Sequence, residues 1–255
     1  MRLILRLLFI IINTLVFTVQ AEESKIGIYE ELGKTLPMDL SFFDEDGHSV
    51  KIQELTHNKP FILAFVYYKC PGICQPVMQN ISKLLDRLDL ETDKDFTLLV
   101  LSIDPKEKYE LANNKKKNFL HSMEKKIAPN GWRFLTGTSE NIKIITDRTG
   151  FAYQKNKDGT FTHTSTLIAL SPNGKITRYI YGTSYLPLDV KFALMEASAG
   201  RVNPTIAKML RYCFSYDPEG RRYTFNILRV GGAVTTLAGL SFFAFLVLSK
   251  RKRKK

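Results

Sequence analysis

The chain has 255 residues, 44% of them hydrophobic and 24% charged, enough to bury one sizeable core and unlike a disordered polymer. Its formal charge of +12 is concentrated at the ends: Arg2 and Arg6 stand among the first 21 residues, which have no acid, and the last six residues are all basic. Setting those eight bases aside leaves only +4 on the rest of the chain, which argues against nucleic acid as a partner.

Arg2 and Arg6 precede and flank an apolar run from Leu7 to Val19, and Val19-Gln20-Ala21 resembles a small-residue cleavage site. This is the pattern of a secretory signal peptide over residues 1–21; a retained N-terminal anchor is the alternative. Residues 22–36 form a polar segment. Leu40 to Phe43 and Ser49 to Ile52 flank Asp46-Gly47, a hairpin signal.

Phe61 to Val66 is a continuous apolar run that predicts a buried strand. The turn Lys69-Cys70-Pro71-Gly72-Ile73-Cys74 follows, and Val77 to Leu88 has helical apolar spacing. Phe96 to Ile103 is a second buried strand, ending in Asp104-Pro105. Strand, helix and strand in this order predict a βαβ unit with parallel strands. A lysine-rich helix is expected from about Lys108 to Lys126, a strand at Trp132–Leu135, and a helix from Glu140 to Thr149 capped by Thr138 or Ser139. Phe161 to Leu170 predicts a strand containing His163. A Pro172-Asn173-Gly174 turn sends Lys175 to Tyr181 back antiparallel, and Leu186 to Ala199 is a last helix. This is the order of an α/β, thioredoxin-like domain over residues 37–199.

Residues 200–229 read as a juxtamembrane connector. Val230 to Ser249 is uncharged, and twenty residues at ~1.5 Å each match the ~30 Å hydrocarbon layer of a bilayer. The expectation is a C-terminal transmembrane helix over residues 230–249 with a basic tail, residues 250–255, in the cytoplasm. The signal peptide and the basic tail agree on a single-pass membrane protein whose domain is extracytoplasmic (periplasmic). Arg221, Arg222 and Arg229 put charge on the outer flank as well.

Export favours disulfide chemistry, and three cysteines suggest one pair and one spare. Cys70 and Cys74 lie where a strand opens into a helix, a position where ligand and active-site residues of α/β sheets gather. Helix N-termini favour thiolates, so the pair can form a disulfide or hold a soft metal; a purely structural disulfide is the plainer reading. His163, at the start of a later strand, is either an ordinary buried histidine or the completion of a Cys2His set. Two thiolates and an imidazole suit copper, Cu(I) in particular. No proline occurs between Pro129 and Pro172, so the cis-proline of ordinary thioredoxins is missing. Asp104 is a strand terminator or an orienting residue behind the ligands. Met78 reads as core, and Cys213 as a small buried hydrophobe, a partner disulfide or an extra ligand.

The stretch Phe65 to Cys74, then Ser102-Ile103-Asp104-Pro105, then His163-Thr164-Ser165 before a strand and a Pro-Asn-Gly turn, resembles the Sco/SenC family. The resemblance implies a membrane-anchored copper chaperone with a thioredoxin-like fold, serving assembly of the copper A centre of cytochrome c oxidase. It implies copper ligands at Cys70, Cys74 and His163. The expected partners are the copper-receiving subunit of an oxidase, other copper carriers or thiol reductants, and the membrane. Three departures stand out: Gly72 replaces an acidic residue between the cysteines, Thr162 replaces an aspartate before the histidine, and the clear membrane run is C-terminal. Two functions follow. One is a metallochaperone holding Cu(I). The other is an enzyme, a thiol–disulfide oxidoreductase in which Cys70 attacks and Cys74 resolves a redox-active disulfide.

Overall fold

The structure, a computed structural model, describes residues 26–202, 214–217, 222–225, 231–232, 235–236 and 238–242. The signal-peptide expectation, Cys213 and most of the 230–249 run lie outside the described residues. No helix among the described residues is long and apolar enough to cross a membrane.

The chain opens with β1 (Gly27–Ile28), the hairpin β2 (Ser41–Phe43) and β3 (Ser49–Lys51), and a short helix α1 (Ile52–Thr56). The βαβ unit follows as β4 (Phe61–Val66), α2 (Cys74–Arg87) and β5 (Thr97–Ser102), continued by α3 (Tyr109–His121), β6 (Trp132–Leu135) and α4 (Ser139–Arg148). Then come β7 (Phe151–Ala152), β8 (Gln154–Lys155), β9 (Phe161–Thr162), β10 (Thr166–Leu170), β11 (Ile176–Tyr181) and α5 (Pro187–Ser198). A further hairpin, β12 (Phe214–Asp217) and β13 (Arg222–Phe225), follows the domain.

Five strands make the central sheet in the order β11-β10-β4-β5-β6. β4, β5 and β6 run parallel, while β10 pairs antiparallel with both β4 and β11. Every residue of β4 and β5 is buried, as expected when helices cover both faces of a parallel sheet. α2 packs against both α3 and α5. Trp132, Phe134 and Tyr179 are among the fully buried side chains, each contributing about 1.5–3 kcal/mol or more of hydrophobic stabilisation.

The β2–β3 turn forms as Asp46-Gly47 predicts, with Gly47 at φ +86° where an L side chain is strained. This hairpin also carries Asp44 and Glu45 into the interior. Arg133 pairs with both, at 3.0 and 2.9 Å, and Lys116 binds Glu45 as well. The lysine row of α3 is therefore only partly a solvated face.

Four local expectations change. α2 starts at Cys74 itself, three residues before Val77. α3 spans Tyr109–His121 rather than reaching Lys126. Ile52 begins α1 instead of ending a strand. The expected Phe161–Leu170 strand is broken: Phe161 and Thr162 pair with β8, the sheet resumes at Thr166, and His163 lies in the gap. The break turns His163 out of the ladder.

Candidate metal centre

The sheet register brings the site together. Leu167 pairs with Ala64 and β10 runs antiparallel to β4, so the residues just before β10 lie beside the C-terminal end of β4. His163-Thr164-Ser165 therefore faces the turn that carries Cys70 and Cys74, although it is far away in sequence. Gly182 N–H donates to Ser165 O at 3.2 Å, and the Ser165 and Tyr185 hydroxyls lie 3.1 Å apart, which fixes the gap from the other side.

Cys74 Sγ lies 3.5 Å from His163 Nε2. His163 Nδ1 is 2.8 Å from its neighbour's Thr164 O. A carbonyl can only accept, so Nδ1 carries the proton and Nε2 keeps a lone pair free for a metal ion. Burial pushes the His163 pKa down and keeps the ring neutral, against smaller upward effects of the Thr164 carbonyl and the Cys70 sulfur. Tyr67 and Phe151 pack their rings beside it, with centroids 6.0 and 5.9 Å away.

Cys70 and Cys74 are both free thiols, the first half-buried and the second buried. They divide one proton unequally. The Cys74 S–H donates to Cys70 sulfur and lowers the Cys70 pKa to about 5, aided by backbone donors at Cys74 and Gly72 and opposed by burial. The Gly72 N–H lies 3.4 Å from Cys70 Sγ. Cys74 is pushed up by the same bond first and by burial second. The first-turn position of Cys74 thus does not make it the thiolate; the N–H groups of the turn and the Cys74 proton serve Cys70 instead. Tyr67, held by burial and by its bond to Cys70, is raised to about 12.

The donor set fits a soft metal. With bond lengths of ~2.3 Å to sulfur and ~2.0 Å to nitrogen, taken from zinc as a scale, a near-tetrahedral angle spans ~3.5 Å between donors. Cys74 and His163 are already at that separation. Among the described residues, the one trio of candidate ligand atoms mutually within 4.8 Å is Asp44, Asp46 and His48 at the hairpin tip. Cys70 therefore has to swing inward to close on an ion held by Cys74 and His163. Its half-exposed place in a Pro-Gly turn allows this. A small cavity beside the cysteines is lined by Tyr67, Tyr68, Gln75, Met78, Lys115 and Phe119. Met78 is buried there as core.

Asp104 Oδ1 accepts the Lys106 N–H at 3.0 Å within its own turn. The residue that reaches the cysteine turn from this loop is Glu107, which the sequence reading passed over. Glu107 is buried, and its two oxygens accept the N–H groups of Tyr68 and Lys69, each at 2.7 Å, and the Ser102 hydroxyl at 2.6 Å. The end of β4 is thus clamped to the loop after β5, one residue before Cys70. The remaining histidines stand apart: His57 ends α1 and His121 ends α3.

Solved structures repeat this architecture. A candidate electron transfer protein from Aquifex aeolicus VF5 is 28% identical, with a TM-score of 0.60, over 66% of this chain and 95% of that one. Arabidopsis thaliana ScoI, solved with copper bound, is 21% identical with a TM-score of 0.52, over 66% and 99%. BsSco, a member of the Sco family of cytochrome c oxidase assembly proteins, is 22% identical with a TM-score of 0.51, over 67% and 96%. At these identities the last two speak for the thioredoxin-like fold alone. None of the curated proteins matches the chain. The SCO1/SenC family profile matches residues 30–187, well over half of the sequence, and the chain belongs to the SCO1/SenC family.

Proposed function

We propose that this protein binds copper as cargo and passes it to the copper A centre of a cytochrome c oxidase during assembly. The observation that carries the reading is the 3.5 Å approach of Cys74 Sγ to a neutral His163 Nε2, with the Cys70 thiolate on the adjoining turn. Two sulfurs and one imidazole form a soft set that suits Cu(I). Cys74 gives up its proton on binding, and Cys70 arrives already deprotonated. Transfer is ligand exchange: each thiolate of the receiving subunit takes a coordination place as one ligand here lets go, with no change in oxidation state. The half-exposed Cys70 is the first to leave and the buried Cys74–His163 pair the last. The copper-bound Arabidopsis relative supports this reading.

A membrane setting belongs to the same proposal. Residues 1–21 direct export, the 230–249 run anchors the chain, the domain lies outside, and the basic tail lies in the cytoplasm. A reporter that fluoresces only in the cytoplasm, fused after Lys255, should glow; a dark but expressed fusion reverses the topology.

The second reading is reduction of the receiving subunit's disulfide. A Cys70 thiolate beside a Cys74 thiol is the arrangement of an attacking and a resolving sulfur. BsSco is described as containing a disulfide switch, which supports this alternative. The deciding experiment mixes Cu(I)-loaded protein with a reduced copper A domain, then reduced copper-free protein with the oxidised domain. The proposal expects copper to move in the first mixture. Movement of electrons alone, in the second, favours the oxidoreductase.

A further inference from the structure

The edge of the sheet that holds the cysteines also gathers lysines. Lys69 stands directly before Cys70 and is exposed. Lys106, also exposed, lies in the loop whose Glu107 accepts the Lys69 N–H. Lys115 lines the small cavity that touches both cysteines. The exposed Lys155 places its Nζ 5.6 Å from the Phe161 ring centroid, and that ring packs at 5.3 Å against Tyr67, the neighbour of His163. None of these four lysines forms an ion pair among the described residues. The acids in the same loops are engaged: Glu107 by the Tyr68 and Lys69 N–H groups, Asp104 by the Lys106 N–H, and Asp158 by the Thr160 N–H and hydroxyl. The residues beside the ligands, Pro71 to Ile73, Thr162 and Thr164, are uncharged. Residues 26–202 have 23 basic and 21 acidic side chains, so four unpaired lysines at one edge are a local excess.

Apolar side chains are exposed at the same edge. Ile73, between the cysteines, is 37% exposed, and Leu186 and Leu188, where α5 begins, are 65% and 59% exposed. Asn80, about two turns along α2 from Ile73 and on the same side of the helix, donates to Thr183 O at 2.7 Å. Gly182 N–H donates to Ser165 O, two residues from His163. The loop that leads into α5 is therefore tied to α2 on one side and to the His163 gap on the other.

We infer that this edge docks an acidic protein face, that of the copper-receiving domain, with Ile73, Leu186 and Leu188 as the apolar centre and Lys69, Lys106 and Lys155 on a charged rim. The inference rests on the copper-transfer reading above and names the chemistry of the receiving face. An apolar centre within a polar rim is the anatomy of a protein interface, and opposite charge on the two rims speeds encounter and fixes register. A second copy of this chain would set lysine against lysine, and like charges across an interface repel. A lipid surface offers no sulfur to take a metal from Cys70, which shares its turn with Lys69 and Ile73.

The test measures association of the reduced, copper-free full chain with a labelled, reduced copper A domain by fluorescence anisotropy. Affinity should fall at least tenfold between ~0.01 M salt, where charges are felt over ~30 Å, and ~1 M salt, where they are felt over ~3 Å. Lys106→Glu with Lys155→Glu should weaken low-salt association at least tenfold and leave Cu(I) affinity, read against a competing chelator, within threefold of the parent. Lys83→Glu, exposed farther along α2, should change association less than twofold. Ile73→Ser with Leu186→Ser should weaken it at least fivefold at either salt. Association of the parent that salt leaves unchanged overturns the inference, as does an equal loss with Lys83→Glu. So does a parent that ignores the domain and binds phosphatidylserine vesicles through the same lysines, which points to a membrane surface. The copper-transfer reading fails separately: salt-dependent docking with no movement of Cu(I) from the loaded chain keeps the interface and removes the transfer.

Discussion

Cys74 Sγ and His163 Nε2 lie 3.5 Å apart although 89 positions separate them in the chain. The approach is a product of strand register. β10 runs antiparallel to β4, so the residue that precedes one strand meets the residue that follows the other.

The division of one proton between two thiols gives the first prediction. The thiolate is the reactive form, and Cys70 holds it down to about pH 5. Iodoacetamide labelling of reduced, copper-free Cys213→Ser protein should therefore be rapid at pH 7, level from there down to about pH 6, and falling through pH 5. Cys74→Ala removes the S–H that stabilises the thiolate, so the midpoint should climb toward the ordinary thiol value of about 8.5. A midpoint near 8.5 in both proteins contradicts the proposed division.

Glu107→Gln gives the second. An amide cannot accept at both of its heavy atoms, so a donor is set against the N–H of Tyr68 or Lys69. Hydrogen bonds to a buried charged group are worth ~1.5–3 kcal/mol each, and the variant should lose about 2 kcal/mol or more of unfolding free energy. Urea denaturation of the copper-free protein measures this directly. Because the clamp ends one residue before Cys70, copper affinity should fall about tenfold. Asp104→Asn, which disturbs only its own turn, should change affinity less than threefold.

Much of this site is readable without coordinates, and the unread part has physical causes. β4 and β5 are unbroken apolar runs because helices cover both faces, and such runs are visible by eye. The cysteine pair is visible because a strand ends and an amphipathic stretch begins around it. The break at His163 is not visible: Phe161 and Thr162 suit a strand whichever partner they choose, and only the tertiary fold gives them β8. Glu107 is hidden for a similar reason. Between Lys106 and Lys108 it reads as a solvated acid, and its burial follows from two main-chain N–H groups at the end of β4 that need an acceptor. The placing of the thiolate on Cys70 is likewise set by a sulfur–sulfur contact that helix position alone does not reveal.

The third prediction links sulfur oxidation to metal. Air removes two electrons and two protons from Cys70 and Cys74 and forms one S–S bond, taking away both thiolate ligands. In the Cys213→Ser protein, the reduced, copper-free form should take two alkyl labels. The air-oxidised and Cu(I)-loaded forms should take fewer, and the oxidised form should bind no Cu(I) until reduced. An oxidised sample that takes two labels and binds Cu(I) unaided removes the redox half of the account.

Copper stoichiometry tests the central claim most directly. The full chain, purified without oxygen and loaded with Cu(I) under a competing chelator, should retain one copper per molecule. Cys70→Ala and Cys74→Ala should lose it, and His163→Ala should bind at least tenfold more weakly while keeping a reducible Cys70–Cys74 disulfide. Copper retained by His163→Ala with the affinity of the parent chain would contradict the Cys2His site.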